Sequence, residues 1–217
     1  MIKLVVFDLD GTIYNTIEDL ADATNVALLS YGYPTHSIET YKYFVGNGIP
    51  NLIMRALPEE HKTQEECDQA RGRMLDYYKD HYADKSVPYD GVMDMLKTLK
   101  DRGIRLAVCT NKAHHMAVKI AENIFGGIFD KVIGQSTDRP LKPDPFSVFE
   151  IMELVGAAPE ETVFVGDSGV DMQVANNAGI KGIGVLWGFR TEKELKENGG
   201  HYIVAAPSEI IEIINKL

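Results

Sequence analysis

The stretch Leu4-Val5-Val6-Phe7 constrains this chain most, because it is apolar throughout, rich in β-branched and aromatic residues, and ends on two carboxylates, Asp8 and Asp10. Such a run reads as a strand buried on both faces, the kind found inside a parallel sheet. Gly11 then permits a sharp turn, since it has no Cβ to clash. Two acids at the C-terminal mouth of a buried strand lie where open α/β sheets bind ligands. Their mutual repulsion needs a cation or a shared proton to relieve it.

After Thr12 the pattern is helical for about seventy residues. Thr16 followed by Asp19 has the spacing of a capping box. It opens a helix with Ile17, Leu20, Ala27, Leu28 and Tyr31 on one face, stopped by Gly32 and Pro34. A short helix from Ser37 reaches Gly46-Asn47-Gly48, a flexible break, and a further piece carries Leu52, Ile53, Ala56 and Leu57. Thr63 with Glu66 caps a longer helix to about Tyr82. Glu59, Glu60, Glu65 and Glu66 read as a solvated helical face rather than a metal site. No period-two alternation appears in this region. The expected domains are therefore an all-helical insert over 15–85 and a core built from 1–14 and 86–217.

From Val87 helices and strands alternate. Val92, Met95, Leu96 and Leu99 mark a helix face; Ile104 to Cys109 reads as a strand ending at Thr110-Asn111. The following helix contains His114-His115, whose rings diverge and read as surface residues. Lys131–Ile133, Thr162–Val165 and Gly182–Leu186 are further strands, and His201–Val204 an edge strand. Asp144 has the position of an N-cap with Pro145 as first helical residue. The repeated strand–helix order predicts an α/β fold with a doubly wound parallel sheet and right-handed crossovers. In such a sheet three strand ends share one crevice, which gathers Asp8 and Asp10, Thr110 and Asn111, and Asp167 with Asp171. Lys142 reaches it on a loop stiffened by Pro143 and Pro145.

That inventory suits phosphoryl transfer. A carboxylate can attack phosphorus, a second acid can carry the leaving-group proton, and Mg²⁺ favours carboxylate oxygens while keeping sites for phosphate and water. Lysine and hydroxyl groups can bind the remaining phosphate oxygens. A net charge of −10 argues against a nucleic-acid or anionic-membrane partner. No apolar stretch approaches the roughly 20 residues of a membrane helix, and no signal peptide precedes the first strand. Cys67 and Cys109 read as free thiols in a reducing compartment. These features predict a cytoplasmic monomer or homodimer acting on a small phosphorylated metabolite.

Asp8-Leu9-Asp10-Gly11-Thr12, Thr110-Asn111, Lys142-Pro143 and Gly166-Asp167-Ser168-Gly169-Val170-Asp171 resemble, in order, the four motifs of the haloacid dehalogenase superfamily. The resemblance covers the whole chain, and the helical insert looks like that superfamily's type I cap on a Rossmann-like core. It implies that Asp8 is the nucleophile and Asp10 the general acid/base. It implies Mg²⁺ on the Asp8 and Asp167 side chains and the Asp10 backbone carbonyl, with Asp171 behind the metal or near Lys142. Thr110, Asn111 and Lys142 would hold the phosphoryl group, and Asn47, Gly48 and Arg55 of the cap would contact the substrate. Tyr43 to Gly48 and Leu141 to Pro145 are similar to phosphoglycolate phosphatases, which implies small phosphate monoesters as substrates and an aspartyl-phosphate intermediate. The alternatives on the same core are a phosphosugar mutase of the β-phosphoglucomutase kind and an inorganic pyrophosphatase. The superfamily's carbon–halogen hydrolases typically lack the second aspartate, so Asp10 argues against that branch.

Overall fold

The computed structural model describes all residues, 1–217. In chain order, β1 (Leu4–Phe7) passes through a two-residue β2 (Tyr14–Asn15) into α1 (Ile17–Ser30), α2 (Ile38–Phe44), α3 (Ile49–Ala56) and α4 (Gln64–His81). The chain returns through β3 (Val87–Pro88) to α5 (Val92–Asp101), β4 (Arg105–Ala113), α6 (His114–Phe125) and β5 (Lys131–Gln135). It continues with α7 (Phe146–Val155), β6 (Thr162–Gly166), α8 (Gly169–Asn177), β7 (Lys181–Val185), α9 (Glu192–Glu197), β8 (Tyr202–Val204) and α10 (Pro207–Lys216). Two compact units result, Met1–Tyr14 with Pro88–Leu217, and Asn15–Val87. Where the chain passes between them, β2 and β3 pair as a two-stranded ribbon.

The first unit is a six-stranded sheet in the order β5-β4-β1-β6-β7-β8, with every pairing parallel. This is the doubly wound α/β sheet expected from the strand–helix alternation, with β5 and β8 at its edges. All four residues of β1 are fully buried, each side chain contributing about 1.5–3 kcal/mol by leaving water. Alternate residues Leu4 and Val6 share a core with Val148, Ile151 and Met152 of α7 and Val174 and Ala175 of α8. Phe7 lies opposite Val108 on one side and Val165 on the other. Asp8 and the residues after Val108 and Val165 therefore leave this shared register on the same side of the sheet.

Three local details differ from the sequence reading. Strand β4 does not stop at Cys109; its pairing with β5 shifts register between Cys109 and Ala113 and then resumes. Residues 110–112 occupy that irregular stretch, the kind of ladder break that re-aims side chains beside active sites. Thr16 is the N-cap of α1 without a side-chain capping bond, and the Asp19 carboxylate accepts at the other end of the insert, from Lys85 N, Ser86 N and Ser86 Oγ. Helix α7 starts one residue late, at Phe146, and Asp144 Oδ1 accepts from Phe146 N.

In the Asn15–Val87 unit, α1 packs on α2, α3 and α4. Tyr41 is fully buried there and donates its hydroxyl to Asn25 Oδ1. Thr63 Oγ1 accepts from Glu66 N, so α4 starts with the expected cap. No helix in the chain is long and apolar enough to cross a membrane.

Candidate active site

Asp8 leaves β1 one residue beyond the paired strand, its amide donating to Val165 O at 2.9 Å. Lys142 Nζ lies 2.8 Å from Asp8 Oδ1 and 2.7 Å from Asp171 Oδ1. Asp8 Oδ1 is buried, and this ion pair is its contact. The Lys142 ammonium also lies over the Phe164 ring. Asn111 holds the lysine in place: Lys142 N donates to Asn111 Oδ1, and Asn111 Nδ2 donates to Lys142 O. The Asn111 amide thus braces the lysine loop.

Asp171 is fully buried in the first turn of α8. Its Oδ2 accepts from both the amide and the hydroxyl of Ser168. With Oδ1 on Lys142, both of its oxygens are engaged. Asp167 accepts from Thr12 Oγ1 at 3.2 Å and from Phe189 N at 2.7 Å. Trp187 Nε1 in turn donates to Thr12 O, tying the loop after β7 to the loop after β1. Gly188 makes this approach possible. A Cβ there would lie 2.2 Å from Asp167 Cβ and 2.4 Å from Gly11 O.

Asp10 points its carboxylate at Lys112, whose Nζ is 3.1 and 3.2 Å from the two oxygens. Thr110 is buried, and its Oγ1 accepts from Lys112 N, which leaves the hydroxyl proton to donate. Tyr89 lies close enough that Asp167 and Asp10, added to its own burial, push its phenol upward.

The cap-type residues lie in the helical unit. Arg55 donates to the carbonyls of Tyr43 and Phe44 and to Asn47 Oδ1, and so fastens α3 to the loop that contains Asn47. Gly48, at φ +80°, is the N-cap of α3.

Electrostatically the crevice is unbalanced. Asp8, Asp167 and Asp171 offer ligand oxygens all within 4.8 Å of one another, and all three residues are buried. Burial, followed by repulsion from Asp171, drives the Asp167 carboxyl well above the usual range. Burial also raises Asp8, against the attraction of Lys142. Burial works against the Lys142 ammonium, but Asp171 and Asp8 outweigh it and hold the group firmly protonated. Three carboxylates against one ammonium leave a net negative buried site. The all-oxygen donor set and the excess of carboxylate over ammonium fit a hard divalent cation such as Mg²⁺. Asp8 and Asp167 keep more lone pairs to offer it than Asp171, which already accepts three hydrogen bonds.

Sequence reasoning did not single out Lys112, Tyr89, Trp187 or Phe189. Lys112 had a signal, since it directly follows Thr110-Asn111 at a strand mouth. The others act through a backbone group, an indole or a distant carboxylate, and nothing local marks them.

The family model described as haloacid dehalogenase-like hydrolase matches residues 5–185. A phosphoglycolate phosphatase of Pseudomonas syringae pathovar tomato is 34% identical over 221 residues, covering 99% of this chain and 78% of that one. One from Thiobacillus denitrificans is 32% identical over 219 residues, covering 99% and 96%. A crystal structure from Lactobacillus delbrueckii subsp. bulgaricus, assigned as a phosphoglycolate phosphatase, superposes with a TM-score of 0.92 at 30% identity, covering 98% of both chains. The strand ends that converge in this crevice thus belong to a scaffold shared along nearly the whole length, and the chain is a member of the haloacid dehalogenase-like hydrolase family.

Proposed function

We propose that this phosphatase hydrolyses small phosphate monoesters, 2-phosphoglycolate among them, through an aspartyl-phosphate on Asp8. The observation that carries the reading is a buried carboxylate 2.8 Å from one ammonium, with Asp10 two residues away. In the first half-reaction an Asp8 oxygen forms a bond to phosphorus as the bond from phosphorus to the ester oxygen breaks. Asp10 gives its proton to the departing oxygen. In the second half-reaction Asp10 takes a proton from water, whose oxygen attacks phosphorus. The bond to Asp8 breaks, releasing phosphate and restoring the carboxylate. Lys142 and the Thr110 hydroxyl hold phosphoryl oxygens throughout.

The Asp8 and Asp167 side chains and the Asp10 backbone carbonyl would hold Mg²⁺, which when bound offsets the negative charge of the phosphate. The helical unit is proposed to act as a cap that limits substrate size, since its two joins follow Asp10 and precede Tyr89 in the chain. The test is a comparison of specificity constants, in MgCl₂ and in EDTA, for 2-phosphoglycolate, pyrophosphate, β-glucose 1-phosphate and a phosphopeptide. Preference for 2-phosphoglycolate with loss of activity in EDTA is expected. Preference for the phosphopeptide would refute the small-ester reading, and isomerisation of the glucose ester to the 6-phosphate would assign a mutase.

A further inference from the structure

Lys112 is buried to 6% exposure, an unusual state for a lysine. Its backbone is fixed by the bond from its amide to Thr110 Oγ1. Strand β5 presses on it as well: at Gly134 a Cβ would lie 2.5 Å from Lys112 O. Its ammonium is therefore delivered by the register shift in β4 to one place, 3.1 and 3.2 Å from the oxygens of Asp10. Lys142, in contrast, is committed to Asp8 and Asp171. The two ammonium groups thus serve different carboxylates. One neutralises the phosphoryl-accepting side of the crevice, and the other accompanies the residue assigned to the leaving group.

We propose that Lys112 is a specificity-determining residue that recognises a carboxylate on the leaving group, next to the ester carbon; the inference rests on the phosphatase reading above. The distances follow from the assigned role of Asp10. A proton carrier lies one hydrogen-bond length from the ester oxygen, and Lys112 lies one hydrogen-bond length beyond that carboxylate, so its ammonium is within about 6 Å of the ester oxygen. A carboxylate separated from the ester oxygen by a single carbon falls inside that span. A neutral alcohol offers the ammonium nothing. A buried charge-assisted contact of this kind discriminates by roughly 10- to 100-fold.

The experiment compares kcat/KM for 2-phosphoglycolate and for ethyl phosphate in the wild type, K112M and K112R. The wild type is expected to prefer the carboxylate ester, K112M to lose that preference by roughly 10- to 100-fold, and K112R to keep part of it. Equal losses on both esters in K112M, or an unchanged ratio, would overturn the proposal. Binding of the same two compounds to D8N and to D8N/K112M, measured by calorimetry, separates this inference from the chemistry. A preference for 2-phosphoglycolate that disappears with Lys112 supports the assignment even if turnover of esters failed. A preference that survives K112M refutes it even if turnover is efficient.

Discussion

Replacing Lys142 by Met tests the charge balance of the crevice directly. The change keeps the unbranched stem and removes only the ammonium, so little cavity forms. That ammonium sits 2.7 Å from Asp171 and 2.8 Å from Asp8. At an effective dielectric of about 20, each contact is worth about 6 kcal/mol of gross attraction. Desolvation of the ions offsets much of this. Removing one partner of a buried pair nevertheless costs about 3–5 kcal/mol, because the remaining charges stay buried and unbalanced.

The cost has a pH signature. Asp8 and Asp167 have folded-state values above the ordinary 3.8, with Asp167 raised to about 8 by burial first and Asp171 second. The folded state then holds protons that the unfolded chain has released, so stability falls as pH rises from about 4 to about 8. Lys142 itself is raised above 10.5, so its contribution is complete below that value and constant across this window. Without the ammonium the carboxylates move further up and the fall steepens. Trp187, the chain's single tryptophan, lies in the sheet unit and reports its unfolding. In urea with EDTA at pH 8, K142M should lower the midpoint by roughly 2 M, taking a slope of about 2 kcal/mol/M. At pH 5 the deficit should be smaller. A shift below roughly 0.5 M at pH 8, or equal deficits at both pH values, would refute the charge-balance argument.

The same excess of carboxylate predicts that MgCl₂ raises the thermal midpoint of the wild type more at pH 8 than at pH 5. The increment is about 2.7 kcal/mol at 100 times Kd, and D167N should lose it in scanning calorimetry. Asp8→Asn should reduce turnover below detection in steady-state assays. Asp10→Asn should slow single-turnover phosphoryl transfer from an alkyl phosphate by about 10²–10⁴-fold, but far less from 4-nitrophenyl phosphate, whose leaving group needs no proton; equal losses in this first half-reaction would count against the acid role. In the helical unit, D19A leaves the amides of Lys85 and Ser86 and the Ser86 hydroxyl without their acceptor. This should cost about 1–3 kcal/mol, seen as faster amide exchange at residues 85 and 86, and protection unchanged from wild type would show that Asp19 does not clamp that linker.

Much of this protein was legible in one dimension. Hydrophobic runs and caps are local, so β1, the cap of α4 at Thr63 and the alternation after Val87 followed from neighbouring residues. Asp8, Thr110, Lys142, Asp167 and Asp171 could be grouped because a parallel sheet brings strand ends to one side whatever the strand order. Local reasoning failed where a side chain had a choice of partners. Asp19 has the spacing of a capping box, yet its carboxylate accepts three donors from residues 85 and 86, a larger gain than one helix cap. Nothing near Asn111 in the sequence shows that its amide is held by both backbone groups of Lys142. Motif spacing alone determined that carboxylates and a lysine would meet. Only the tertiary structure decided which ammonium sits beside which carboxylate. Pairing Lys142 with Asp8 and Asp171, and Lys112 with Asp10, depends on a register shift in β4 and on contacts between residues 29 to 134 positions apart, and buried charges select their partners by distance in space rather than along the chain.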